Sequence, residues 1–305
     1  MEYAPIVIFT YRRKDALKVL VESLLRNPEA KFSHVYFFCD GAKGEQDAPD
    51  VEAVHHFVQS ISGFASIEIS ISEKNRGLAN SVIHGVSSVF EKNISAIVLE
   101  DDLEVSQNFL AFMNAALTRY EHEKEVYSIS GYSFNLKKQQ QYASDAYFLN
   151  RAWSWTWATW KDRWAKVDWK VSDYQDFAND RDQRAAFSKL GSDVNAMLDK
   201  QMQGKIDSWA IRWVFQQYKV QGLTLYPVIS KVYNHGFDEL ATHNVGSNRR
   251  YITQLDSSAH SNFSLPHTIS VNRNYQDQFN KLMSIPRRIL SRIESLFVQL
   301  RRRWL

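Results

Sequence analysis

The run Ile97-Val98-Leu99-Glu100-Asp101-Asp102 places three carboxylates at the end of a short apolar stretch. A continuous aliphatic and β-branched run reads as a buried strand of a parallel sheet. Open α/β sheets bind ligands beyond the carboxyl ends of such strands. Three acids crowded there repel one another unless a cation or several hydrogen-bond donors compensate. A divalent metal does so most simply, and a metal held by one or two carboxylates commonly holds phosphates too. Consecutive side chains leaving a strand diverge, so one acid can face a metal while its neighbour faces a ribose hydroxyl. Capping of the following helix by Asp101 or Asp102 is the plainer alternative.

Three other segments carry chemistry at comparable places. Asp40 ends the apolar run Val35 to Cys39 and precedes Gly41. A carboxylate there can accept from a base N–H such as uracil N3–H, although Asp-Gly is also a common turn pair. Thr10-Tyr11-Arg12-Arg13 follows the run Pro5 to Thr10. Arg12 or Arg13 could reach a phosphate or a base edge, or both could be solvated at a helix start. Asn75-Arg76-Gly77-Leu78-Ala79-Asn80 combines a glycine, which permits close backbone approach, with a helix N-terminus, which favours anions. Neither standard phosphate-cradling glycine pattern is present.

The elements around these residues alternate between strand and helix patterns. Strands are predicted at 5–10, 35–41, 65–71 and 96–99, with helices over 13–26, 51–61, 76–90 and 109–120 between and after them. Leu17, Leu20, Val21, Leu24 and Leu25 share one face of the first helix, and Ile67, Ile69 and Ile71 one face of the third strand. This order predicts an α/β fold, a three-layer α/β/α arrangement around a mostly parallel central sheet. Beyond residue 121 the pattern loosens. Short strands are expected at 127–131, 146–149 and 223–232, a charged helical region over 173–200, and a helix over 208–221. Residues 234–265 read as a polar loop, 266–280 as a linker, and 281–305 as a basic amphipathic helix. The body would therefore span 1–265, in two halves at 1–120 and 121–265.

The four sites fall at the ends of four successive strands, and at this point the sequence resembles a known family. Pro5 to Arg12, Cys39-Asp40-Gly41, Asn75-Arg76-Gly77-Leu78-Ala79, Val98 to Glu104 and Asp207-Ser208-Trp209 are similar to segments of inverting glycosyltransferases with the A-type nucleotide-sugar fold. The closest resemblance is to enzymes related to N-acetylglucosaminyltransferase I and to bacterial family 2 transferases. The resemblance implies a GT-A-like transferase that uses a UDP-sugar and Mn²⁺ or Mg²⁺. Asp40 would bind uracil, Thr10 and Arg12 would line the nucleoside pocket, and Asp101 would contact the ribose side of the donor. Arg76 and Glu100 belong to the same donor-binding set, and Asp102 would be the metal ligand. Asp207 would be the catalytic base, although the family's Asp-Asp-Trp stretch is Asp-Ser-Trp here. Read without the resemblance, Asp207 is a helix N-cap. His243 or His235, in the polar loop, could contact the diphosphate or complete the metal shell.

Five of the nine tryptophans lie between Arg151 and Trp164, which makes this stretch a candidate sugar wall. Trp153, Trp155 and Trp157 alternate as on a strand, and Trp157, Trp160 and Trp164 follow at helical spacing. Core packing accounts for most of them and sugar stacking for one.

Composition fits a globular chain with a sizeable core, at 44% hydrophobic and 23% charged residues. The net charge of +3 hides an asymmetry, because 281–305 holds seven cations against Glu294 alone, +6 in sum, which leaves −3 for the rest. Leu282, Ile285, Ile289, Ile293, Leu296, Leu300 and Trp304 recur at helical spacing among those arginines. That pattern suits an anionic membrane surface, or packing on the body or a partner chain. An acidic body without a base-reading motif argues against nucleic acid. The lone Cys39 and the strand-like start predict a cytoplasmic protein, peripheral on the inner face of the plasma membrane. Its acceptor would be a glycan or a lipid-linked sugar. The alternatives are a sugar-nucleotide nucleotidyltransferase, which would want a glycine-rich loop at 10–13, and a non-catalytic carbohydrate-binding scaffold.

Overall fold

The computed structural model describes residues 3–236 and 250–303, with side chains as far as residue 296. Its first hundred residues alternate as the periodicity predicts. They form β1 (Ile6–Thr10), α1 (Lys14–Leu25), β2 (His34–Cys39), α2 (Ala48–Gln59), β3 (Ser66–Ile71), α3 (Leu78–Lys92) and β4 (Ser95–Glu100). β1 is buried along its whole length because it lies between parallel partners on both sides. Thr10 pairs with Cys39 and Phe9 with Glu100, so β1, β2 and β4 end together. β3 is the edge strand, and Ile69 and Ile71 stay 36% and 43% exposed rather than sharing a buried face. On α1, Leu17, Leu20, Val21 and Leu24 are buried, whereas Leu25 lies at the rim of the apolar stripe and is exposed.

The remaining elements are β5 (Leu103–Val105), α4 (Phe109–Tyr120), β6 (Val126–Ser130), β7 (Ala146–Leu149), β8 (Thr156–Trp160), α5 (Lys161–Trp164), α6 (Tyr174–Asn179), α7 (Arg181–Ser188), α8 (Val194–Met202), α9 (Trp209–Lys219), β9 (Leu223–Pro227), β10 (Val232–Asn234), α10 (Arg273–Leu282) and α11 (Ile285–Arg303). The eight-stranded sheet runs β3-β2-β1-β4-β8-β6-β9-β7, and β5 and β10 form a separate antiparallel pair. Four of its seven pairings are parallel; β8 and β7 are the antiparallel strands. One core holds α1, α2 and α4 on one face of the sheet, and a second holds α3 and α9 on the other.

The tryptophans divide differently from the predicted spacing. Trp157 and Trp160 belong to β8 and face opposite cores, and Trp164 ends the short α5. Trp157 stacks on Trp164 at 5.4 Å and lies 5.0 Å from Trp209 at the start of α9. Trp153 and Trp155 precede the strand and gather with Tyr132, Phe134 and Tyr251.

The expected linker at 266–280 is instead a packed element from residue 271 onward. Val271 bridges to Phe148, and Asn272 caps α10 by accepting from the Tyr275 N–H. Tyr275 and Phe279 are fully buried, with Tyr275 stacked 4.0 Å from Tyr147. The polar composition of the segment conceals two aromatics one helical turn apart, and these dock α10 on β7.

A buried ion pair ties the same region to α8. Arg151, 6% exposed, donates to both oxygens of Asp193 at 2.8 Å. Burial opposes the charge on Asp193, but the guanidinium overrides it and holds the carboxyl down to about 2. Its folded pKa lies below the unfolded value, so the pair stabilises fully above about pH 4 and fades as pH falls through about 2. Asp193→Asn should therefore cost about 3 kcal/mol at neutral pH. Denaturant titrations should show that gap closing towards pH 2, and a gap independent of pH would refute the assignment.

Candidate functional site

The four sequence-predicted strand-end segments meet at one edge of the sheet, and backbone pairing places them. Asp40 N–H donates to Thr10 O at 3.0 Å, which continues the β1–β2 ladder one step past both strands. Asp101 Oδ2 accepts from the Thr10 hydroxyl at 3.0 Å and from the Tyr11 N–H at 3.1 Å. Thr10 and Asp101 thus splice the ends of β1 and β4 together.

Asp40 has a comparable task. Its Oδ1 accepts from the Arg76 N–H at 2.8 Å and the Gly41 N–H at 3.0 Å, and its Oδ2 accepts from the Gly77 N–H at 3.0 Å. These bonds hold the turn that opens α3. Asn75 Nδ2 donates to Gly41 O at 2.8 Å in the same turn. Gly41 has no alternative, since a Cβ there would stand 2.7 Å from the Lys74 carbonyl carbon. The Arg76 side chain is exposed and donates to Ser72 Oγ. With Asn80, Ile83, His84 and Ser87 it lines an open groove of about 600 Å³ along α3, beside the splice rather than over the acids.

Of the two arginines, Arg13 reaches the acidic triplet. Its Nη1 lies 3.0 Å from Asp102 Oδ2, with both side chains largely buried. Arg12 is held by Asp47 at 2.6 Å, and the Tyr11 hydroxyl donates to the other Asp47 oxygen. The Arg-Arg dipeptide gives no sign of which member turns inward; that depends on where Asp47 lies after β2.

Asp102 is also framed from the other half of the chain. The β5–β10 pair brings His235 close enough for its N–H to donate to Asp102 O at 2.9 Å. Gly236 then packs against the Asp102 carboxylate so closely that any side chain there would collide with it. His235 itself points to Glu104, with Nε2 3.0 Å from Oε2. His243 lies outside the described residues. Among the described residues, no three His, Cys, Asp or Glu side chains gather as a metal cluster.

Asp207 stands one residue before the cap of α9; that cap is Ser208, accepting from the Ile211 N–H. The Asp207 side chain is about half exposed and pairs with Arg212 at 3.0 Å. Its neighbour Trp209 covers Trp157, whose strand partner is Val98, two residues before Glu100. The serine of Asp-Ser-Trp therefore releases Asp207 from the capping role that a lone aspartate would fill.

Crowding sets the electrostatics of the edge. Burial, and then the charges of Asp102 and Asp101, push Glu100 well above the usual carboxylate range. Burial and the Asp102 charge push Asp101 up to about 6, against the pull of Tyr11 N–H, the Thr10 hydroxyl and Arg13. Both acids bind protons more tightly folded than unfolded, so their ionisation costs stability as pH rises, for Asp101 from about 4 through about 6. Asp101→Asn keeps an oxygen for Thr10 and Tyr11 and deletes one charge. With divalent ions chelated, this variant should be more stable at pH 8 by on the order of 2 kcal/mol, with the gain gone below about pH 4. Chemical denaturation at both pH values tests this; an equal gain at both would leave charge crowding without support.

Comparison with known proteins bears on this site. The sequence profile of the GNT-I family matches residues 1–195, from β1 through the tryptophan stretch and into α8. No curated protein sequence matches significantly. Among solved structures, the mannosyltransferase PcManGT from Pyrobaculum calidifontis, in complex with GDP-Man and Mn²⁺, aligns at 11% identity with a TM-score of 0.34. That alignment covers 52% of this chain and 45% of that one. TarS from S. aureus aligns at 10% identity with a TM-score of 0.37, over 75% of this chain and 37% of that one. The chain thus spans less than half the length of either protein.

Proposed function

The chain belongs to the GNT-I family, and from that premise we propose that it is a metal-dependent inverting glycosyltransferase using a UDP-sugar. The observation that carries this reading is the meeting of Asp40, Thr10, Asp101 and Asp102 at the joint C-terminal ends of β2, β1 and β4. Open α/β sheets take nucleotides at that edge. Asp40 Oδ2 accepts one backbone N–H, and a carboxylate oxygen has room for a second donor such as a base N–H. Asp101 Oδ2 takes the Thr10 and Tyr11 donors, which leaves Oδ1 to accept from a ribose hydroxyl of the donor, and we keep Glu100 in the same donor-binding set.

A hard divalent cation, Mn²⁺ or Mg²⁺, suits this edge because its donors are all carboxylate oxygens. One protein carboxylate, Asp102, would hold it, and the donor's phosphates would complete its shell. Such a cation supplies Lewis-acid neutralisation of the departing diphosphate. Arg13 already faces Asp102 and adds positive charge at the same place. Asp207 takes the proton from the acceptor hydroxyl as it attacks the anomeric carbon, and Arg212 keeps its carboxylate oriented. Of the five clustered tryptophans Trp153 is the least buried, so it is the one we assign to sugar stacking. We place the acceptor on a surface glycan or lipid-linked precursor, at the inner face of the plasma membrane.

A thermal-shift screen of UDP-, GDP- and dTDP-sugars with and without Mn²⁺ is the direct test, because a ligand that binds only the folded state raises Tm. UDP-sugars with Mn²⁺ should give the largest shift. Asp102→Ala should remove the metal-dependent part while leaving the unliganded Tm near its normal value; an unchanged shift would refute the metal assignment. Asp207→Asn should keep the donor shift and lower turnover about 100-fold or more. Normal turnover in that variant would remove Asp207 as the base.

A further inference from the structure

The face of α11 that is turned away from the body is the apolar one. Ile285, Ile289, Ile293 and Leu296, at helical spacings of four, four and three, are 60%, 51%, 44% and 58% exposed, and Leu290 is 49% exposed. Arg288, Ser291 and Ser295 lie on the opposite face and are half-buried. Arg288 Nη1 donates to Ser192 Oγ at 3.1 Å, and that hydroxyl donates to Met283 O at 2.7 Å. A helix that stabilised the body by packing on it would show the reverse arrangement. No described helix is long and apolar enough to cross a membrane.

We propose that α11 lies in the plane of an anionic lipid bilayer, with the Ile285–Ile289–Ile293–Leu296 stripe inserted and Arg288 kept back as its bracket to the catalytic body. Charge selects that occupant: Arg287, Arg288 and Arg292 stand against Glu294, and the sequence adds Arg301, Arg302 and Arg303. A partly apolar helix ringed with arginines binds where acyl chains and phosphates meet. α10 makes the mount stiff, because Phe279 and Tyr275 are buried in the body and Met283, at 2% exposed, closes the junction. The arginines thus divide in function. Arg292, exposed beside the stripe, meets lipid phosphate, whereas Arg288 meets Ser192. The proposal rests on the inner-face acceptor only for its biological purpose, since lipid binding is read without donor or turnover.

The test is co-sedimentation of the full chain with vesicles of phosphatidylcholine alone and of an equimolar mixture with phosphatidylglycerol. The protein should bind the anionic vesicles, less tightly as salt rises, and bind the neutral ones weakly. Ile289→Ser combined with Ile293→Ser should lower the affinity at least tenfold, Arg292→Ser about fivefold, and Arg288→Ser by less than Arg292→Ser. An unchanged unliganded Tm in each variant confirms that the fold is intact. Absence of binding by the wild-type chain, or full binding by the double isoleucine variant, overturns the proposal. A dimer that the same double substitution dissociates, without vesicle binding, would assign the face to a second copy and overturn it as well. An equal loss for Arg288→Ser and Arg292→Ser would refute the division between bracket and lipid contact.

Discussion

Three adjacent parallel strands, β2, β1 and β4, end in register, and the site depends on how their carboxylates are neutralised there. Two of the acids are satisfied by hydrogen-bond donors from the neighbouring element. Asp101 takes the Thr10 hydroxyl and the Tyr11 amide, and Asp40 takes three backbone amides, two of them from the turn into α3. The same groups that would contact a donor therefore also hold the strand ends in place. Asp102, one step further along, is instead balanced by a guanidinium. The gradient from amide-bound to cation-bound carboxylate along this edge gives each acid a different chemistry, although Asp101 and Asp102 are neighbours in the chain.

The second half of the molecule supplies the walls around that edge. β8 enters antiparallel beside β4, so its beginning, not its end, stands next to the acids. This reversal delivers Trp153 and Trp155 to one side of the edge and Trp157, beneath Trp209, to the other. The β5–β10 pair closes a third side by pressing Gly236 on Asp102. The two tryptophan walls come from segments far away in sequence and are anchored by aromatic packing, whereas the β5–β10 wall is held by its ladder and by the bond from His235 N–H to Asp102 O.

Much of this was legible in the chain, for local reasons. Buried parallel strands are continuous apolar runs, and the helices between them carry an apolar stripe, so β1 to β4 and α1 to α4 could be read from periodicity. The grouping of Thr10, Asp40 and the acidic triplet at one edge followed from strand order. Tertiary choices were not legible. Whether Arg12 or Arg13 turns inward depends on Asp47, which belongs to a different loop. Ile69 and Ile71 alternate as if half-buried, yet β3 is the outermost strand and its face is only partly covered. Residues 266–280 looked like a linker because their composition is polar, while Tyr275 and Phe279 carry most of the packing. The strand order β4-β8-β6-β9 had no signal in any single segment.

That strand order has a consequence for how the chain is made. β1, β2 and β3 find all their partners among β1 to β4, with a helix between each strand and the next, so this unit can assemble once about a hundred residues have been synthesised. β4 then waits with one apolar edge open until β8, more than fifty residues later, arrives to cover it; β6, made before β8, joins through it, and β9 completes the far side last. The slow, non-local pairing therefore comes at the middle of the sheet and not at its rim. A nascent chain that stops between Tyr120 and Thr156 exposes the Ile97-Val98-Leu99 edge, the segment best suited to pair with another copy. The interval before β8 emerges is thus the one in which the centre of the finished sheet stands as an open strand edge.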